Sequence, residues 1–257
     1  ATISVGLDRQ TGIKSFEGEA VIGRGAAEMP GGRFDLSGGR LHGRYDIESD
    51  ELTFDQVQLA GARTRINGEV RIRDFSAIMR AAPNEPAAFD IALPSLTLDV
   101  PGTFSEPIAF SNVAIVGAIV TAERSIAFTR LSARTGEATV QAQGRVYWLP
   151  AGAEGKLFPG IELHGAVEGA VGARDVVRMW PMTLGEAGRD YVDRSLIGGR
   201  VTDGVFNLDV RPSDIAAGGL RNEAIDVRFN IENGEFRFVP TMSPITAARG
   251  SGVLRGN

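Results

Sequence analysis

The chain has 257 residues, a net charge of −5, 43% hydrophobic and 23% charged residues. That balance describes a globular chain long enough to bury a sizeable surface, and it excludes a disordered one. The 27 Lys and Arg are scattered with no basic run, which argues against a nucleic-acid partner, because phosphate binding needs a clustered basic surface.

The absence of cysteine excludes disulfides, thiolate metal sites and a cysteine nucleophile. The 33 glycines and 7% aromatics suggest many tight turns around a core of small aliphatic side chains. The sequence opens at Ala1 without Met and closes at Gly252 to Asn257 on what reads as a strand cut short. The expectation is a segment of a larger protein, with any membrane anchor outside it. No apolar stretch approaches the roughly 20 residues needed to span a bilayer, and the longest, Val113 to Val120, is strand length.

In chain order, period-2 alternation dominates. It begins at Ile3–Val5–Leu7 and is clear from Arg40 to Ile47, where Leu41, Gly43, Tyr45 and Ile47 oppose Arg40, His42, Arg44 and Asp46. From Arg65 to Ile72, Ile66, Gly68, Val70 and Ile72 oppose Arg65, Asn67, Glu69 and Arg71. It returns at Leu96–Leu98–Val100, Val140–Gly144–Val146, Ile161–Leu163–Val167, Phe206–Leu208–Val210 and Ile225–Val227–Phe229–Ile231. Such alternation marks strands with one apolar and one solvated face, and favours an antiparallel sheet. Pro30–Gly31, Pro101–Gly102 and Asn233–Gly234 read as turns between strands.

Helix is confined to short stretches. The spacing predicts one near 74–80 and a turn from Asp175 to Trp180 that ends at Pro181. A further helix is predicted from Thr183 to Leu196, where Thr183 and Glu186 form a capping box and Gly198–Gly199 supply the stop.

Two internal echoes suggest repetition. Leu41-x-Gly43 with Leu52-Thr-Phe54 matches Ile115-x-Gly117 with Ile126-Ala-Phe128, 74 residues on. Gly68-x-Val70-x-x-Arg73-Asp74 matches Gly169-x-Val171-x-x-Arg174-Asp175, 101 residues on. Two similar units, 1–83 and 84–257, within one continuous segment 1–257 would account for them. Meanders that merely look alike would too.

Little in the sequence carries chemistry. His42 and His164, the only histidines, lie on polar strand faces, and neither a general-base setting nor metal-ligand clustering surrounds them. No G-x-S-x-G or G-K-[ST] motif occurs. Gly23-Arg-Gly25 lacks the third glycine of a dinucleotide fingerprint and reads as a turn. Asp46, Glu48, Asp50 and Glu51 form the densest acidic cluster but lack calcium-loop spacing, so a solvated hairpin tip is the reading. No enzyme, cofactor or metal is expected.

One segment resembles a known family. Trp180-Pro181, Leu184, Arg189-x-Tyr191-Val192 and Leu196-x-x-Gly199-x-Val201 resemble the helix-to-strand passage of AsmA-like proteins of the YhdP type, with Tyr191 where Trp is usual. Gly204-x-Phe206, Asp226-Val-Arg-Phe229 and Gly250-Ser-Gly252 extend the likeness over residues 174–257. The resemblance implies a periplasmic segment of a protein anchored in the inner membrane of a Gram-negative bacterium. It also implies a bridge-like lipid-transfer role between inner and outer membranes, with phospholipid acyl chains, membranes and envelope proteins as partners.

The resulting expectation is a mostly β fold. It is an elongated, curved antiparallel sheet forming an open groove, with two or three short helices near 74–80 and 175–197. Leu41, Tyr45, Ile47, Leu52, Phe54, Ile115, Ile119, Ile126 and Phe128 are expected to line the groove, the alternative being that they fill a closed core. Leu184, Ala187, Tyr191, Val192 and Leu196 are expected to form a helix that caps it. An envelope scaffold with a closed core and a glycan-acting enzyme with facing carboxylates remain as other classes.

Overall fold

The computed structural model describes residues 2–8, 12–29, 32–81, 85–99, 104–152, 155–180, 182, 186–239 and 241–256. The first strands are β1 (Thr2–Asp8), β2 (Gly12–Ile22), β3 (Gly25–Met29), β4 (Gly32–Asp46), β5 (Glu51–Gly61) and β6 (Arg65–Arg73), followed by helix α1 (Phe75–Arg80). Next come β7 (Ala87–Leu98), β8 (Ile108–Val120), β9 (Ser125–Thr135), β10 (Ala138–Ala151) and β11 (Lys156–Gly172). Helices α2 (Ala173–Met179) and α3 (Glu186–Ser195) precede β12 (Leu196–Val210). Helix α4 (Pro212–Ala217), a 3-10 turn (Asn222–Ala224), β13 (Ile225–Phe236) and β14 (Ile245–Arg255) complete the chain.

The fold is mostly β, as the alternation predicts. The strands form one open antiparallel sheet in which each pairs with its neighbour in sequence, except that β2 pairs with β4 and β3 folds back onto β4 alone. Each of the two end strands, β1 and β14, has a single partner, so the sheet does not close. Among the described residues no helix is long and apolar enough to cross a membrane.

The chain divides into two compact units. The first comprises Ala1–Leu98 and Ala109–Ala133, the second Asp99–Ile108 and Arg134–Asn257.

In the first unit the registers stack apolar residues into lateral rows on one face. One row runs Phe16, Tyr45, Leu52, Ile72, Phe89; the next runs Gly18, Gly43, Phe54, Val70, Ile91. A third runs Ala20, Leu41, Val57, Gly68, and a fourth Ile22, Gly39, Leu59, Ile66, Leu96. Strict alternation would have sent Phe54 and Val57 to opposite faces. A register shift between them returns Val57 to the face of Phe54. Asn112, at φ 51°, allows the same for Phe110 and Val113, which pack into one cluster with Leu93 and Ala133. The buried cores are small, and many of the buried apolar side chains among the described residues are alanines.

In the second unit the apolar rows run Val146, Ile161, Val210 and Gly144, Leu163, Leu208, Ile225. Helices α2 and α3 cover one end, where Ala173, Val177 and Leu196 are buried against Val192, Val201 and Phe236.

Three local expectations change. Asn233–Gly234 is not a turn between strands: β13 runs through it as a bulge, with Asn233 at φ 50°. The predicted helix to Leu196 stops at Ser195, because Leu196 pairs with Phe236 and the Arg237 N–H donates to the Ser195 carbonyl at 2.7 Å. Helix α4 was not anticipated; its six residues are too few to show a helical period, and its signal is Pro212 in the first turn with Asp214 behind it. Pro30–Gly31, Pro101–Gly102, Val100, Pro181 and Thr183 lie outside the described residues.

Glycine also has a use that turns do not explain. A Cβ on Gly43 would meet the Phe54 ring at 2.8 Å, on Gly165 the Phe206 ring at 2.3 Å, and on Gly252 the Phe229 ring at 2.4 Å. Each of these aromatics is the glycine's direct cross-strand partner. The ring occupies the space of the missing side chain, which covers bare backbone with apolar surface.

Candidate functional site

The candidate site is the apolar face of the first unit. Leu41, Tyr45, Leu52 and Phe54 all stand on it, half-buried, and with Phe16, Gly18, Ala20 and Gly43 they line a shallow pocket of about 380 Å³. Phe16 remains 39% exposed. Half-exposure of this kind is what a sheet face shows when no second layer seals it.

The face continues onto β8 and β9. Phe89 joins them: the Gly117 Cβ position points at its ring, and Phe128 meets it edge-on at 6.3 Å. By alternation Ile115 and Ile119 share the side of Gly117, and Ile126 that of Phe128. Ile115 packs on the Leu93–Val113–Ala133 cluster, while Ile119, Ile126 and Phe128 are half-buried. Ile47 differs from its expected place. It follows the end of β4, sits in the turn to β5 and is 42% exposed, with its N–H donating to the Lys14 carbonyl.

One end of this face is covered by α1. The Phe75 ring meets Tyr45 edge-on at 5.5 Å, and Ala77 is buried. The anchor is Asp50, whose carboxylate accepts from the Ser76 N–H (3.0 Å), the Ser76 hydroxyl (2.6 Å) and the Tyr45 hydroxyl (2.7 Å). Burial alone pushes the Asp50 carboxyl up; the Ser76 and Tyr45 hydrogen bonds with Arg80 outweigh it and hold the group below its ordinary value. The Tyr45 hydroxyl is raised, first by its bond to Asp50. The acidic cluster is thus partly structural. Asp46 accepts from the Glu48 and Ser49 N–H groups and closes the turn, while Asp50 docks a helix.

The opposite face is charged. Arg40 pairs with Glu19 at 3.2 Å and Arg73 with Asp90 at 2.7 Å. His42 Nδ1 lies 2.6 Å from Asp55 and Nε2 lies 3.1 Å from Glu17. The Asp55 hydrogen bond, with Glu17 beyond it, raises the imidazole above its ordinary value against a smaller opposing effect of burial. These pairs are well exposed and contribute little stability individually. Their consequence is to keep water on this face and leave the other apolar.

In the second unit the segment around α2 and α3 is built around arginines. Arg189 is buried and donates from Nε to the Trp180 carbonyl at 3.2 Å. Arg174 donates to the Asp193 and Leu196 carbonyls and pairs with the Asp193 carboxylate at 2.9 Å. Val192 and Leu196 pack in one cluster with Ala173, Val177, Val201 and Phe236. Tyr191 does not; it is 53% exposed and stacks on Phe238 at 6.5 Å. Leu184 lies outside the described residues, and the Ala187 side chain is likewise not described.

Among the described residues no group of three or more His, Asp or Glu could hold a metal ion. Comparison with family models, curated proteins and solved structures returns no match.

Proposed function

We propose that this chain is a lipid-handling segment of the bacterial envelope, a periplasmic part of an inner-membrane-anchored AsmA-like protein. In this reading the apolar face of the first unit shields phospholipid acyl chains that pass between inner and outer membranes. The observation that carries the reading is the lateral register. It joins apolar residues of five strands into lateral rows that are mostly half-buried, closing over at Gly68 and Phe89, with the ion pairs on the other face. The AsmA-like motif around Arg189 and Tyr191 supports it.

The physics asks for little else. Each acyl methylene removed from water contributes about 0.8 kcal/mol, so a smooth apolar face holds a chain without a specific pocket. Glycines beneath rings suit such a surface, because the ring covers bare backbone with carbon. Head groups stay in water, and this segment needs no cofactor or reaction.

The experiment is native mass spectrometry of the purified protein with lipid extraction of the same sample. Phospholipid should accompany the wild type and be lost in Phe54→Asp, with the strand signal in circular dichroism unchanged. A folded, lipid-free wild type that also refuses added fluorescent phospholipid would reject the reading.

A further inference from the structure

The charged face of the first unit holds a cleft of its own. Strict alternation would set Asp55 and Gln56 on opposite faces, yet both line it. The cause is a pair of bulges. Phe54 pairs with Val70 and Val57 with Gly68, so Asp55 and Gln56 of β5 together oppose Glu69. Asn67 pairs with Ser95 and Glu69 with Ala92, so Leu93 and Pro94 of β7 together oppose Gly68. Pro94 has no N–H to give a ladder, which suits a bulge. Bulges on two strands thus meet one short stretch of β6, and a bulge re-aims the side chains beside it. Gly68 lets β7 approach there, since an added Cβ would run into the Ala92 carbonyl oxygen.

The cleft has a volume of about 490 Å³, within the roughly 300–1,000 Å³ of small-molecule sites. Gln56, Gln58, Asn67 and Glu69 line it. Among the described residues their side chains make no hydrogen bond or ion pair. The three amides offer donors and acceptors together, and Glu69 adds an acceptor. His42 and Asp55 close one side, 2.6 Å apart, with His42 also 3.1 Å from Glu17. Ala92 and Pro94 are exposed and present carbon.

This chemistry selects among ligands. No Lys or Arg lines the cleft and two carboxylates do, which turns away phosphates and other anions. Asp55 is already met by His42, so three neutral amides face one free carboxylate, a poor match for a polycation. Among the described residues no group of three could hold a metal ion. An uncharged carbon frame bearing several hydroxyls satisfies the amides, the carboxylate and the aliphatic floor together. We propose that the cleft between the β5 and β7 bulges binds a neutral saccharide. Gln56, Gln58 and Asn67 exchange hydrogen bonds with its hydroxyls, Glu69 accepts from one, and its ring carbons rest on Ala92 and Pro94. The site lies on the face opposite the apolar rows and does not depend on lipid binding there.

The test is titration of the whole protein with maltotetraose, cellotetraose and the N-acetylglucosamine tetramer, followed by the side-chain amide signals in NMR. At least one sugar should shift the signals of Gln56, Gln58 and Asn67. Gln58 and Asn67 are exposed cross-strand partners, so Gln58→Ala with Asn67→Ala keeps the fold. It should weaken that sugar about tenfold or more. Gln143→Ala, exposed in the second unit, should bind like the wild type. Wild-type protein that ignores all three sugars overturns the proposal, and so does a Gln58/Asn67 variant that binds like the wild type. Shifts of the same signals by spermidine or inorganic phosphate, with none by the sugars, would assign the cleft to an ion and overturn it as well. Phospholipid extraction reads the apolar face separately, so failure of one proposal is distinguishable from failure of the other.

Discussion

Three glycine-to-alanine changes in the second unit test whether the rings require bare backbone. Gly165 is the tightest: an added Cβ would lie 2.3 Å from the tip of Phe206 and 2.5 Å from the Gln141 carbonyl oxygen. The ring can swing, at about 0.5–1.5 kcal/mol for leaving its rotamer. The carbonyl belongs to the neighbouring strand and must be displaced, which adds about 1–3 kcal/mol of overpacking. Alanine returns about 0.4–1 kcal/mol by restricting the unfolded chain. The net for Gly165→Ala is a loss of about 2 kcal/mol. At Gly252 the three atoms nearest the new Cβ all belong to the Phe229 ring, from 2.4 Å, so the swing and the unfolded-state gain nearly cancel, leaving a loss of about 0–1 kcal/mol. At Gly250 nothing lies within 4 Å, and alanine should be neutral or stabilise by up to about 1 kcal/mol. Urea denaturation followed by circular dichroism gives the order directly. Equal stability for Gly165→Ala and Gly250→Ala would refute the idea that these rings occupy the space of a missing side chain.

Removing the α1 anchor, Asp50→Ala, should cost about 1–3 kcal/mol and speed amide exchange in α1 ahead of the β8–β9 hairpin; unchanged exchange in α1 would remove Asp50 from that role. Because the Asp50 carboxyl is held below its ordinary 3.8, its contribution is present above pH 3.8 and is lost as the pH falls through the folded value. His42 has the opposite sign. Its imidazole is raised above 6.5 by Asp55 and Glu17, so the contribution is complete below pH 6.5 and fades as the pH rises through the folded value. NMR titration should find the His42 value falling toward 6.5 in Asp55→Asn, and no fall would discount the Asp55 bond. Arg221→Ala leaves buried Asp214 with the Arg211 N–H and removes the donor to the Asp209 carbonyl, so it should lower the urea midpoint; an unchanged midpoint would place the pair with the ordinary surface ones.

The strand class, the apolar face of Leu41, Tyr45, Leu52 and Phe54, and helices α1 to α3 were all legible, because a half-buried strand and an amphipathic helix impose their period on the residues themselves. The 74-residue echo also has a structural counterpart. Turns 47–50 and 121–124 each follow an apolar strand and end in a left-handed residue, Asp50 at φ 52° and Arg124 at φ 48°. The Asn233–Gly234 reading failed because the dipeptide signals only a left-handed backbone, which a bulge uses as readily as a turn does. Helical spacing puts Tyr191 on one face with Leu184, Ala187 and Val192, but the structure leaves it exposed and buries Arg189, whose guanidinium a carbonyl satisfies. The polar cleft went unseen because the bulges that gather its side chains exist only in the cross-strand register.

The sequence by itself determined that this protein is a one-sided antiparallel sheet with short helices after two of its strands. Those facts are local, written in alternation and capping residues within a few positions of each other. Tertiary structure decided what the apolar side chains do. Whether a face is sealed or left half-exposed depends on which strands pair and where bulges restore the phase. It also depends on what crosses the face, and residues distant in sequence settle all three. The same holds for glycine: only the cross-strand register shows that Gly43 lies under Phe54 and Gly165 under Phe206, because a ring covers its partner across the ladder and not along the chain.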